Sequence, residues 1–190
     1  MHAGAPARQL ALLSSAAFAS MVSMRICDPL LPALAHDFAT TTGRAAQVIS
    51  AYAIAYGVLQ LVYGPLADRY GKFRVVSLAV LACAACNLAA AWSPSLGALI
   101  ALRAAIGGAA AAVIPLTMAW IGDAVAYERR QEALARLLGA TVIGMIVGQW
   151  AGGFFADTLG WRSVFVALAL LFAATGVLMR VPLRGAGRQT

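Results

Sequence analysis

The sequence predicts an all-α membrane protein with six transmembrane helices, and three observations carry that reading. First, 62% of the 190 residues are hydrophobic and 11% are charged, with a mean hydropathy of +0.83. Soluble domains average about 45–50% apolar and about 25% charged. A soluble globule of this size has too little interior to hide so much apolar surface, and disorder needs the opposite composition. Second, the apolar residues fall in long continuous runs. A membrane-crossing helix uses about 20 of them, so six use about 120 and leave short connections. Barrel strands would alternate every second residue instead. Third, most Lys and Arg residues lie between the runs.

Taken in order, the runs place span 1 at residues 10–35, span 2 at 47–67 and span 3 at 75–92. Span 4 follows at 97–122, span 5 at 137–156 and span 6 at 164–179. Short links make neighbouring spans antiparallel. The predicted layout is a cytoplasmic N-terminus at 1–9, the six-helix bundle at 10–180 and a basic cytoplasmic tail at 181–190. The charge on the links sets the orientation. Arg8, Arg69, Lys72, Arg74, Arg129, Arg130, Arg136, Arg180, Arg184 and Arg188 fall on one side, and Arg44 and Arg162 on the other. Cytoplasmic links are the basic ones, so both termini are expected in the cytoplasm of a cell bounded by a plasma membrane, the inner membrane of a bacterium.

The net charge of +7 and pI near 10.0 would suggest nucleic acid in a soluble protein. Here orientation accounts for the basic residues, and no nucleic-acid partner is expected. Arg8, the run LALLSSAAFA and Ser20 have the outline of a signal peptide, but span 1 continues beyond that point and is expected to be retained. Cys27, Cys83 and Cys86 all lie in apolar runs. Cys83 and Cys86 form a CxxC without a neighbouring His or second pair, so they read as small packing residues rather than a zinc site. No cofactor and no metal are expected. There is no nucleophile–base pair and no phosphate-binding glycine loop, so the chain does not read as an enzyme.

Arg25, Asp28 and Arg103 fall inside spans, where charge costs several kcal/mol unless it is paired or faces a watery cavity. Arg25 and Asp28 are three apart and share a face. Asp28 lies roughly 9 Å beyond the middle of span 1 at about 1.5 Å per residue, and Arg103 lies at a similar depth in span 4. The two are therefore expected to meet, with Arg25 beside them. Two readings follow: a static ion pair that locks the helices, or a proton- or substrate-responsive site in which the guanidinium tunes the carboxylate. In span 2, Tyr52, Tyr56, Gln60 and Tyr63 share one face. With Gln149 of span 5, Tyr52, Tyr56 and Gln60 are candidates for a cavity wall; helix packing with satisfied hydroxyls is the alternative.

Between spans 2 and 3 stands Gly64-Pro65-Leu66-Ala67-Asp68-Arg69-Tyr70-Gly71-Lys72-Phe73-Arg74, a tight basic turn. This segment resembles the GxLaDrxGrkxx signature of the major facilitator superfamily, with Phe73 where a basic residue is usual. Arg103 through Gly107 and Gly108 is similar to the family's RxxqGxgaa motif, with Ile106 in place of Gln. Span 5 carries Gly144, Gly148, Gly152 and Gly153, a spacing that marks close helix packing. It resembles the antiporter motif gxxxGPxxGG, with Gln149 in place of the proline. Asp28-Pro29-Leu30-Leu31-Pro32, the 157–165 segment and Asp123 with Glu128-Arg129-Arg130 resemble further family segments.

The resemblance implies one six-helix half of the major facilitator superfamily fold. It implies a cytoplasmic gate at Gly64, Asp68, Arg69, Gly71, Lys72 and Arg74, and proton coupling at Arg103. Such transporters have two halves with the substrate cavity between them, so a complete pathway needs a second six-helix half, from a longer chain, a second copy or a separate protein. The resulting expectation is secondary active efflux of a small organic molecule, driven by protons across the lipid bilayer. The alternatives are a sugar or metabolite uptake carrier and a non-transporting membrane partner.

Overall fold

The structure, a computed structural model, describes residues 4–181. The predicted basic tail, Arg184 and Arg188 included, lies outside these residues apart from Val181. The described residues form nine helices: α1 (Gly4–Arg25), α2 (Leu31–Asp37), α3 (Thr42–Ala45), α4 (Gln47–Tyr70), α5 (Lys72–Ala91), α6 (Leu96–Ala110), α7 (Val113–Ala124), α8 (Tyr127–Thr158) and α9 (Trp161–Arg180). Five stretches are long and apolar enough to cross a membrane: Thr42–Tyr70, Lys72–Ala91, Leu96–Ala124, Tyr127–Thr158 and Trp161–Arg180. The remaining crossing is α1 followed by α2. Arg8 donates to the Leu178 carbonyl (3.2 Å), and Trp161 donates to Asp37 (2.7 Å). The α1–α2 pair therefore runs antiparallel along the whole of α9, and the start of α1 and the end of α9 share one end of the bundle.

Two predicted spans are not continuous helices. Span 1 breaks at residues 26–30, where Pro29 has no N–H to give. The chain tightens there into i→i+3 bonds, from Asp28 to the Arg25 carbonyl and from Leu30 to the Cys27 carbonyl, both 3.2 Å. Pro32 then stands in the first turn of α2, where its missing donor costs nothing. Span 4 is interrupted at Ala111–Ala112, four residues before Pro115, for the same reason. The ends also differ from expectation. α1 starts at Gly4, and α8 starts at Tyr127, well before residue 137. Arg8, Arg129, Arg130 and Arg136, assigned to links, therefore sit within the first three turns of α1 and α8. Arg136 and Arg129 pair there with Glu132, at 2.6 and 3.8 Å.

The helices pack in pairs, chiefly α1 on α8, α4 on α6 and α5 on α9. Glycine makes the first two crossings close. A β-carbon at Gly144 would lie 2.6 Å from the Phe18 carbonyl oxygen, and one at Gly148 would lie 2.7 Å from that of Val22. Gly152 stands as tightly against Ile26. Each sits one turn above the last, so α8 lies along the backbone of α1. Gly153, expected in the same ladder, is not part of it. It faces away, and its nearest neighbour would be 4.0 Å off. On the other side Gly107 meets the Tyr52 backbone and Gly108 meets Leu59.

The pattern G-x-x-A-D-x-x-G occurs at the end of α4, from Gly64 to Gly71, and again at the end of α8, from Gly153 to Gly160. In each case the last glycine alone reverses the chain, with φ of 87° at Gly71 and 77° at Gly160. Only glycine takes that conformation without strain.

Candidate functional site

Arg103 is the largest fully buried side chain among the described residues, at 0% exposure. Its fixed charge must be satisfied where it lies, and the backbone does most of this. Nε donates to the Val48 carbonyl (3.3 Å) and Nη1 to the Ser23 carbonyl (3.0 Å). Ser23 belongs to the last turn of α1, whose carbonyls lose their helical partners where the helix stops. The break at residues 26–30 therefore supplies an acceptor. The guanidinium also lies 4.3 Å from the centre of the Tyr52 ring, a cation–π contact. Tyr52 in turn donates to the Ser20 carbonyl (3.3 Å). One side chain of α6 thus ties α4 and α1 together.

This corrects the expected Asp28–Arg103 pair. Asp28 pairs with its own neighbour Arg25 at 3.4 Å, on the partly exposed edge of the break. Arg103 has no carboxylate within 4.0 Å among the described residues. Asp28 lies in the turn at residues 26–30 and pairs with Arg25, whereas Arg103 meets α1 one turn earlier, at the Ser23 carbonyl. Three hydrogen-bonding groups at this junction, Arg103 Nη2, Ser20 Oγ and Ser23 Oγ, are buried without a protein partner. Buried polar groups are normally satisfied, so these three atoms set the junction apart from the apolar core around it.

Tyr52 is also corrected. It is 1% exposed and lies under α6, because Gly107 lets the two backbones close on it. It does not line an open cavity. Tyr56 stacks on Tyr52 with ring centres 6.2 Å apart and is half-buried. Tyr63 donates to the Gly108 carbonyl (2.9 Å) and so acts in packing. Gln60 and Gln149 are exposed on α4 and α8.

At the basic end, Lys72 donates to Asp123 at the end of α7 (2.5 Å), and Asp68 stands 4.0 Å away. Arg69 lies over the ring of Tyr70 (5.4 Å). Gly64 and Gly71 are exposed. Arg74 does not join this group, because it leaves α5 on the opposite face. At the other end Asp37 accepts from the Trp161 indole (2.7 Å) and from Arg162 (3.1 Å), beside Phe38 and Phe165. Sequence reasoning missed this corner and the role of Asp123 as the acceptor for Lys72. The duplicated G-x-x-A-D-x-x-G pattern, which marks both corners, was the available signal.

Comparison with known proteins fits this architecture. The major facilitator superfamily model matches residues 13–189. A chloramphenicol resistance protein of Streptomyces lividans is 31% identical over 183 residues, which cover 95% of this chain and 46% of the relative. The MFS-type transporter YybF of Bacillus subtilis is 24% identical over 169 residues, 89% of this chain and 42% of its own length. The crystal structure of a D-xylose–proton symporter superposes with a TM-score of 0.78 at 13% identity, over 92% of this chain and 48% of that one. The chain spans less than half the length of each of these proteins. It is a multi-pass membrane protein that belongs to the major facilitator superfamily and carries one six-helix half of that fold.

Proposed function

We propose that the chain forms one wall of a secondary transporter that exports a small organic molecule in exchange for protons, completed by a second six-helix half. The observation that carries this reading is Arg103: a buried cation held by two carbonyls and a tyrosine ring, with one nitrogen free, next to a break in α1. A span that only fills the membrane has little use for such a charge. Proton exchange itself falls to Asp28. Asp28 pairs with Arg25 on the partly exposed edge of the break, and neither of them is bonded to Arg103. Gln60 and Gln149 stand on the exposed faces of α4 and α8 as substrate contacts. Gly64, Asp68, Arg69, Gly71 and Lys72 form the gate on the cytoplasmic side, with both termini on that side of a bacterial inner membrane.

Chloramphenicol serves as a probe because of the Streptomyces relative. In everted vesicles carrying the chain, a proton gradient should drive its accumulation. Asp28→Asn should abolish the gradient-dependent part while the protein remains inserted at wild-type level. Unchanged gradient-driven accumulation in that variant would sink the coupling assignment. Light scattering on the purified chain in mild detergent addresses the second half: a stable dimer allows a self-completed pathway, and a monomer requires a separate partner.

A further inference from the structure

The two basic residues at the start of α5 point in opposite directions. Lys72 turns inward to Asp123. Arg74 turns outward and begins an exposed stripe that continues through Leu78, Ala82 and Ala85 to Trp92, at helical spacing. Arg74 and Leu78 together border two grooves. One, of about 440 Å³, lies between α4 and α5, with Ala109 as its floor and Tyr63, Leu66, Tyr70 and Ala82 as its walls. The other, of about 300 Å³, lies between α5 and α9 and adds Phe73, Ser77, Met179 and Arg180. Leu78 is the ridge between them, and Arg74 stands one turn nearer the end of the bundle.

Neither Arg74 nor Arg180 has a carboxylate within 4.0 Å among the described residues. Away from the helix ends, the exposed face of α5 and α9 is apolar, with Leu78, Leu88, Leu170, Val177 and Leu178. The exposed polar residues at membrane depth, Arg25, Gln60 and Gln149, belong to α1, its break and the α4 and α8 helices instead. The α5–α9 face is therefore apolar enough to meet lipid tails, as are the exposed apolar residues of α4 that border the first groove.

We propose that Arg74, Arg180 and the two grooves flanking Leu78 form a site for one anionic diacyl phospholipid, with its headgroup phosphate on the arginines and one acyl chain in each groove. Charge complementarity selects the occupant. A guanidinium offers paired donors to a phosphate, and basic pockets between transmembrane helices hold anionic headgroups. Two arginines repel the ammonium of a zwitterionic lipid. The site is separate from Arg103 and from the Lys72–Asp123 contact, so it stands whether or not the transport reading holds.

Native mass spectrometry of the purified chain, titrated with phosphatidylglycerol or phosphatidylcholine of identical acyl chains, tests this. Each arginine near the membrane surface is worth about fivefold in affinity for an anionic lipid, and the two together about thirtyfold. Phosphatidylglycerol should bind the more tightly. Arg74→Gln should cost about fivefold, the Arg74→Gln/Arg180→Gln pair should erase the preference, and Arg74→Lys should retain most of it. Leu78→Trp, which fills both grooves from an exposed position, should weaken both lipids. Gel filtration and circular dichroism report that each variant is folded. Equal binding of the two lipids by the wild type overturns the proposal, as does a preserved preference in the double variant. Full displacement by millimolar inorganic phosphate would show a simple anion site and overturn it. A dimer lost on Leu78→Trp would show that protein fills the grooves, and would overturn it too.

Discussion

The Gly71 and Gly160 junctions share a sequence pattern and a left-handed backbone, yet each is fastened by a different kind of contact. After Gly71, Lys72 reaches the end of α7 through a bond to Asp123, whose side chain is 64% exposed. After Gly160, Trp161 and Arg162 reach the end of α2 through Asp37, and Trp161 is 3% exposed against Phe38 and Phe165. In both cases the start of one span is tied to the end of a broken one. The basic end relies on charges in water, which are worth at most about 1 kcal/mol and are screened by salt. The opposite end relies on a packed aromatic corner. A bundle fastened this way gives first at its basic end, where the proposed gate lies.

The comparison can be broken hardest at the packed corner. Trp161→Ala should cost about 3–5 kcal/mol, the range for removing a buried tryptophan, read as a fall in unfolding free energy in detergent. A loss below about 1 kcal/mol would show that the corner is not a fastening. Gly71→Ala and Gly160→Ala come next, at about 1–2 kcal/mol each, because both force a side chain into left-handed backbone. Unequal losses would show that only one of the junctions holds its turn rigidly. Asp37→Asn should cost about 1 kcal/mol, since the amide oxygen still accepts from Trp161. Lys72→Gln should cost the least, about 0.5 kcal/mol, and its effect should vanish in 1 M salt, where screening acts within about 3 Å. If the Lys72→Gln effect survives salt while the Asp37→Asn effect does not, the contrast between the ends is reversed.

Much of the bundle was legible in the sequence, because hydropathy reports what lipid requires of each crossing. The glycines of α8 were legible too. Four-residue spacing allows close approach, and Gly144, Gly148 and Gly152 supply it. The breaks in spans 1 and 4 were written in Pro29 and Pro115, but apolar periodicity runs straight across them. The direction of Asp28 was beyond reach, since it depends on a turn whose geometry is set by tertiary contacts with α8. Arg103 was singled out by its charge. Its true partners, the carbonyls of Val48 and Ser23, belong to no residue type and leave no mark in a sequence.

The break in α1 also bears on how the protein is assembled. The α1 helix carries Arg8, Gln9, several serines and Arg25, and its last turn offers a backbone carbonyl to another span. The groups that house it, the glycine ladder of α8 and the guanidinium of α6, are made by the ribosome much later. During synthesis the Ser23 carbonyl and the α1 backbone that faces the glycines therefore precede the groups they meet in the finished bundle. Gly148→Ala and Arg103→Gln should therefore both loosen the seat of α1, although they lie on different helices and share no contact with each other.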